Sequence, residues 1–470
     1  MPATLFPTDR TELNAAGNLV FDGADLTRLA TERETPFFLI SENILRANYR
    51  QFTEAFAGVP GFRVFFSVKT NYESGVLRTL RSLGSGTEVS GALDLLASCR
   101  AGFSPRDIVF DGPSKTEEEL SAAIDLGVHL INIECEPELR TIDRMARERR
   151  RVVQIGVRID PIIKNPYYGQ LISTYKSKFG FRADESERIF ELARSCPNVQ
   201  VVALHAHIGS QILSPDLYVK NLEVLVQLAA RQRQKGIEIR EINMGGGFPA
   251  QSTRHLRVSR RVKGARVLER LNLLETTPPT IGDFGQRIRQ GFEAACRRFG
   301  VNSALTAEPG RSLVSNTCVL VGKVRHTKDS WIFSDISIND VPENLFFSEF
   351  RMLFPNRMRD GEIHKAHLSG PTLATNDVVA YEAKVPRLAP GDPIAIFDTG
   401  AYSISRATQF TRPRNAVYFL RSDGQLEVIR RRERCEDVMR MQVWGEGEEA
   451  GEADELSSLV SAASARVEVK

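Results

Sequence analysis

The chain of 470 residues is poor in cysteine, tryptophan and histidine, with six, two and seven of them. Its cysteines (Cys99, Cys135, Cys196, Cys296, Cys318 and Cys435) are scattered, with no CxxC pair and no zinc-ligand spacing. That pattern argues against a disulfide-stapled scaffold or a zinc site, so no metal is expected and a reduced, cytoplasmic setting is. No apolar run approaches the roughly 18 residues needed to span a bilayer. The opening stretch "MPATLFPTDRTELN" lacks a basic segment followed by an apolar core, so no secretory signal is expected there. Charge of one sign is lacking too: 62 Lys and Arg face 59 Asp and Glu, a net charge of +3. There is no broad field to attract nucleic acid or a membrane surface. What remains, 42% hydrophobic and 26% charged residues, is the composition of an ordinary globular protein. The length suggests at least two domains, or one large barrel with an addition.

Apolar, β-branched stretches alternate with amphipathic ones. Strands are expected at 63–68, 86–90, 107–112, 130–134, 154–159, 201–209, 241–246 and 305–310. Helical patterns lie between them, such as "SGALDLLASCRAG" and "TEEELSAAIDLG", each ending at a glycine as a helix C-terminus often does. Near-continuous apolar strands separated by helices imply parallel strands buried on both faces. Eight such units in a row fit a (β/α)8 barrel of about 250 residues; a doubly wound open sheet would leave a similar pattern. After residue 312 strands follow one another without regular helices, the texture of a β domain. The expected division is a barrel over 36–312, a β domain over 1–35 and 313–435, and a tail over 436–470, acidic and rich in small residues after Trp444 and disordered at its end. The basic stretch 253–266 is expected to be a solvated loop, with an anion-binding lid as the alternative.

One stretch sets the functional question. In "RVFFSVKTN" a run of buried character ends in an ammonium group, Lys69. A charge at the end of an apolar strand either reaches solvent or sits in a pocket that uses it. Chemistry in a barrel of this type collects at the C-terminal strand ends. Six of the eight expected strands carry an unusual residue there: Lys69, Glu88, Arg158, the "HAHIGSQ" group with His205, His207 and Ser210, the glycines Gly245, Gly246 and Gly247, and Glu308 with Arg311. Singly each is a weak signal. Together they supply an amine for a Schiff base with an aldehyde and bare backbone amides for a phosphate. Ser210 and Arg311 add phosphate donors, Glu308 offers an acid for a ring nitrogen, and His207 can stack on a flat ring. An aldehyde, a phosphate and a pyridine ring together make pyridoxal 5'-phosphate (PLP).

The sequence resembles the fold-type III PLP enzymes, the ornithine/diaminopimelate/arginine decarboxylase family. The matching stretches are "FFSVKTN", "EVSGALDL", "SKFGF", "HAHIGSQI", "NMGGGF", "EPGRSLV", "IND", "SGPT" and "DTGAYS", in the family's order from residue 63 to 403. The resemblance implies an alanine-racemase-like (β/α)8 TIM barrel with a second, C-terminal β domain. It also implies a homodimer with active sites at the interface and a small-molecule amino-acid substrate. By position, Lys69 is the Schiff-base lysine, His207 stacks on the ring and Glu308 pairs with the pyridine nitrogen. Ser210, Gly245, Gly246, Gly247, Arg311 and Tyr402 serve the phosphate, and Glu88 and Arg158 support the cofactor. Asp340 meets the distal end of the substrate from the partner subunit, and Arg311 is also placed near the substrate.

The pattern breaks at one place. The family's Gly-Pro-x-Cys-(Asp/Glu) motif brings a proton-donating cysteine and an acid across the interface; here "SGPTLATNDVV" has Leu373 and Ala374 in those positions. Leucine has no proton to give and alanine cannot bind an ammonium group. The stretch "VPENLFFSEFRMLFPNR" also departs from the segment that holds the distal carboxylate in diaminopimelate decarboxylases. The expected reaction is PLP-dependent decarboxylation of an amino acid or amino-acid conjugate. A racemase, epimerase or lyase, and a non-catalytic decarboxylase homologue, stand as alternatives.

Overall fold

A computed structural model describes residues 8–163, 177–250, 255–258, 273–276, 278–342 and 350–443. The chain forms two compact units. One contains Tyr49–Pro249 and Pro279–Ser312; the other takes the chain up to Asn48 and again from Leu313.

The first unit is the barrel. Its eight strands are β1 (Arg63–Ser67), β2 (Gly86–Val89), β3 (Ile108–Phe110), β4 (Leu130–Ile133), β5 (Val153–Asp160), β6 (Val199–His205), β7 (Glu241–Asn243) and β8 (Ala304–Ala307). All neighbours pair in parallel. The barrel closes where β8 meets β1, with Thr306 opposite Arg63. Strand residues such as Phe65, Phe66, Val109, Ile131, Ile155 and Leu305 are buried because a barrel strand is covered on one face by side chains and on the other by helices. The helices end as their sequences demand. Helix α1 (Ala92–Arg100) is followed by Gly102 at φ +84. Helix α2 (Glu117–Leu126) opens on a Thr116/Glu119 capping box and stops at left-handed Gly127. The long helices α3 (Pro215–Gln234) and α4 (Ile281–Phe299) pack on each other on the outside.

The second unit is built on a β-sheet. Its longest strand, β9 (Cys318–Lys328), pairs with β10 (Trp331–Ser334) at one end and with β13 (Pro393–Phe397) at the other. Beyond β10 lie β11 (Ile363–Ser369) and β12 (Val378–Pro386); β14 (Ala416–Leu420) and β15 (Leu426–Arg430) form the other edge. Alternate residues Val319 and Val321, Ala395 and Phe397, and Ala416 enter one core, following the two-residue period of a half-buried strand.

The expected barrel start at residue 36 moves to Tyr49. The strand Phe37–Ser41 lies in this second sheet, antiparallel to β9 and parallel to β14. Its continuous apolar run "FFLI" reads like a barrel strand because all five residues are buried. A central strand of any sheet has that pattern. Within the expected basic loop 253–266, residues His255–Val258 pair antiparallel with Leu273–Thr276; the rest of the loop lies outside the described residues. So does the tail from 444, while its expected start at 436 falls inside the short helix Cys435–Met439.

Candidate active site

Every barrel strand delivers a polar side chain at its C-terminal end. Lys69 follows β1 on a single 3-10 turn, Val68–Thr70, and Glu88 lies on β2. Asp111 and Glu134 come directly after β3 and β4, Arg158 is on β5, His205 and Asn243 end β6 and β7, and Glu308 follows β8. Of these, Glu88, Asp111, Glu134, Arg158, His205, Asn243 and Glu308 are buried. A ring of buried charge is costly unless each member is paired, and the partners are all present.

Lys69 resolves the puzzle of the strand-terminal ammonium. Its Nζ lies 2.6 Å and 2.5 Å from the two oxygens of Glu88, which is 1% exposed at its side chain, while the lysine is 44% exposed. The buried carboxylate anchors the amine of a side chain that is itself partly open to solvent. Arg158 pairs with Glu134 and lies over the Phe179 ring at 4.4 Å. The second Glu134 oxygen accepts from the Gly180 amide at 2.7 Å, tying the "SKFGF" stretch to the barrel.

At the base of the site one imidazole sits between two carboxylates. His205 Nε2 lies 3.1 Å from Glu308 and 3.6 Å from Asp111. Asn243 donates to the other Glu308 oxygen at 2.7 Å and Asn132 to the other Asp111 oxygen at 2.6 Å. Burial, then Asp111, pushes the Glu308 carboxyl up to about 7, against the pull of His205. Asp111 is held down at about 2: burial opposes its charge, but His205 and Arg158 outweigh that. Burial alone would lower His205, and the two carboxylates raise it above its ordinary value.

His207 behaves in the opposite way. Its surface is open, yet it is enclosed by protein as a side chain lining a concavity is. Burial, then the Arg158 and Lys69 cations, pushes it down to about 3, so its ring is neutral at ordinary pH. The Gly246 amide donates to its Nδ1 at 3.2 Å, which leaves the ring proton on Nε2.

The glycine turn is more constrained than bare amides require. Gly245 and Gly247 have φ +69 and +91, the region glycine adopts without penalty. A Cβ on Gly246 would come within 2.4 Å of the Glu308 carbonyl oxygen, and one on Gly247 within 2.2 Å of the Gly209 carbonyl oxygen. The buried Tyr218 of α3 donates its hydroxyl to the Gly246 carbonyl at 2.8 Å. Turns that alternate the sign of φ converge their amides into an anion-binding concavity.

Lys69, Glu88, Arg158, His205, His207, Gly245–Gly247 and Glu308 thus gather at one end of the barrel. Ser210 follows on the loop after β6, and Arg311 opens the short helix Arg311–Val314; both are half-buried. Tyr402 and Asp340 belong to the second unit. Tyr402 holds φ +57, a left-handed conformation that costs a bulky residue energy. Asp340 accepts from the Ser337 amide at 2.8 Å and from Asn415 at 2.7 Å, so its carboxylate is already engaged. Leu373 is 99% exposed on a turn pinned by buried Asp377, which accepts from the Thr372 amide and hydroxyl at 2.9 Å and 2.6 Å.

Sequence reasoning missed Asp111, Glu134, Asn132, Asn243 and Tyr218. Asp111 and Glu134 were findable, since "IVFD" and "INIE" end apolar strands in an acid just as "RVFFSVK" ends in a base. Asn132, Asn243 and Tyr218 reach the site only through packing.

A parallel barrel with an amine, a buried near-neutral acid, a neutral imidazole and a glycine anion turn at one rim defines a cofactor-dependent enzyme. The donor set fits PLP, whose aldehyde, ring nitrogen, flat ring and phosphate match those four chemistries. The family model for the pyridoxal-dependent decarboxylase, pyridoxal binding domain, matches residues 42–315. The chain is 30% identical to the diaminopimelate decarboxylase of Methanothermobacter thermautotrophicus over 440 residues, 92% of this chain and 97% of that one. It is 29% identical to the Pseudomonas aeruginosa diaminopimelate decarboxylase, over 89% of this chain and 95% of the other. Among solved structures, diaminopimelate decarboxylase from Methanocaldococcus jannaschii in complex with L-lysine superimposes with a TM-score of 0.82 at 25% identity, covering 94% and 99% of the two chains. The chain belongs to the pyridoxal-dependent decarboxylases. It is a PLP-dependent amino-acid decarboxylase, and this reading holds over the racemase, lyase and non-catalytic alternatives. No helix among the described residues is long and apolar enough to cross a membrane.

Proposed function

We propose that this decarboxylase acts on an amino acid or amino-acid conjugate whose distal end is not a free ammonium group, as a cytoplasmic homodimer. The observation that carries the catalytic assignment is the convergence on one barrel rim of Lys69, paired to Glu88, with His207 and Glu308. Lys69 would bind the aldehyde, and Glu88 holds its Nζ in place. Glu308 would face the ring nitrogen and exchange a proton with it, for which an acid that titrates near neutrality is suited. His207, kept neutral, would offer the ring an uncharged flat surface. Gly245, Gly246 and Gly247, with Ser210 and Arg311, would hold the phosphate. Arg158 supports the pocket through Glu134. The bound cofactor supplies an electron sink for breaking the Cα–carboxylate bond.

A proton must then return to carbon. Leu373 has none to give, and His207 at about 3 carries no spare proton at neutral pH. Lys69 Nζ, held in place by Glu88, is the donor we assign. Asp340 and Leu373 face the partner's barrel in this reading. Leu373 and Ala374, where the family pattern has a cysteine and an acid, support a substrate lacking a distal charge. The barrel domain starts at Tyr49 and the second domain takes residues before it and after Ser312.

The test is CO2 release from the PLP-loaded protein across a panel of L- and D-amino acids, diaminopimelate and amide-linked conjugates. The expected result is faster turnover of a conjugate than of any free diamino acid. Preferential turnover of diaminopimelate would overturn the substrate assignment, and no CO2 from any of them the catalytic one.

A further inference from the structure

His205 and Asp111 have no role in the chemistry so far, yet both are buried, His205 completely. The imidazole Nε2, an Asp111 oxygen and a Glu308 oxygen all lie within 4.8 Å of one another. Each carboxylate uses its other oxygen to accept from a buried amide, Asn132 for Asp111 and Asn243 for Glu308. Register places these groups: His205 is opposite Asn243 on β7 and opposite Arg158 on β5. His205 Nδ1 has no hydrogen-bond partner among the described residues. The imidazole is therefore held from one side only, by two acids competing for its Nε2 proton.

We propose that His205, kept as an imidazolium by Asp111, is a positioning residue that holds Glu308 ionised and thereby keeps the ring nitrogen of bound PLP protonated. The argument is Coulombic. Two carboxylates around one imidazole in a dry site cannot both stay charged unless the imidazole does. Glu308 faces Asp111 from β3 and Glu88 from β2, both raising its proton affinity, and His205 is the cation in direct contact that opposes them. Arg158 and Lys69 act on Asp111 and steady its negative charge. Remove the His205 charge and Glu308 becomes a neutral acid. A neutral acid against a pyridine nitrogen donates a hydrogen bond but leaves the proton on oxygen. The electron sink is then weaker, although the cofactor is still bound. One proton shared by the Glu308–ring pair thus changes owner, and nothing else in the balance changes.

This rests on the reading that Glu308 faces the ring nitrogen. The experiment separates the two ideas. The wild type, His205→Gln, His205→Lys and Glu308→Gln proteins are loaded with PLP labelled with 15N at the ring, and the nitrogen resonance is read at pH 8. We expect a protonated pyridine in the wild type, a neutral one in His205→Gln at unchanged cofactor content, and a return toward the protonated value in His205→Lys, which restores the charge. A His205→Gln resonance equal to the wild type, with Glu308→Gln shifted, overturns the proposal and spares the Glu308 reading. No shift in Glu308→Gln overturns that reading. Because His205→Gln removes a fully buried contact and could fail to fold, a second measurement uses the wild type alone. Its histidines are labelled with 15N, and the spectrum at pH 8 should retain a doubly protonated imidazole, where an unperturbed histidine is neutral. Absence of any imidazolium signal overturns the proposal.

Discussion

Replacing Gly156 by alanine is expected to unlock the base of the active site from behind. Gly156 lies on β5 directly opposite Asn132 on β4. An ideal Cβ there would sit 1.9 Å from Asn132 Oδ1 and 3.1 Å from its Cγ. Asn132 is fully buried and donates to Asp111 at 2.6 Å, so it has no solvent to swing into. Two costs follow. Forcing a methyl into a filled barrel interior costs about 1–3 kcal/mol. Losing a hydrogen bond to a charged group costs about 1.5–3 kcal/mol. Against them stands a gain of about 0.5–1 kcal/mol, because alanine has less backbone freedom to lose than glycine. The net expectation is a destabilisation of about 2–5 kcal/mol. The assay is the urea midpoint of Gly156→Ala, Asn132→Ala and the double variant. Asn132→Ala already forfeits the hydrogen bond and removes the obstacle, so alanine at 156 should then cost little, with a coupling of about 2 kcal/mol. Equal cost of Gly156→Ala in both backgrounds would refute the close-contact reasoning.

Other perturbations probe the rest of the site. Lys69→Ala should abolish the visible absorbance that PLP acquires on this protein, measured by adding the cofactor to the apo-protein; retained absorbance would move the carbonyl partner elsewhere. Glu134→Ala leaves the buried Arg158 charge unpaired and frees the Gly180 amide; hydrogen exchange should speed up in residues 177–182, and the unfolding midpoint should fall by the equivalent of about 3–5 kcal/mol. Asp340 is pushed up to about 7 by burial, with Asp377 and Asp335 adding to it, whereas an unfolded aspartate titrates near 4. The folded chain therefore holds a proton that the unfolded chain has lost, and stability should fall as pH rises from about 4 to 7. The same pH series on Asp340→Asn should show a shallower fall. Leu373→Ala, at a fully exposed position, should change the unfolding free energy by less than about 0.5 kcal/mol but weaken self-association in sedimentation; unchanged association would remove Leu373 from a subunit contact.

What the sequence discloses and what it hides divide along a physical line. The barrel strands show in the sequence because each is buried on two faces and bounded by glycine or a capped helix; the expected 63–68 and 130–134 end within a residue of the observed strands. Phe37–Ser41 misleads for the same reason, since a buried central strand of the second sheet carries no mark of which sheet it joins. Site residues show where a charge breaks an apolar run, as Lys69, Glu88, Arg158 and Glu308 do. Their partners do not show, because pairing is a property of the register. His205 and His207 are two residues apart in one stretch, and a strand's alternation would send both toward one face. Yet β6 ends at His205, which sits at the base between two acids, while His207 follows on the loop beside Arg158 and Lys69. Two identical side chains acquire opposite charge preferences from that single strand end. A variant that extended β6 through His207 should erase that difference in surroundings.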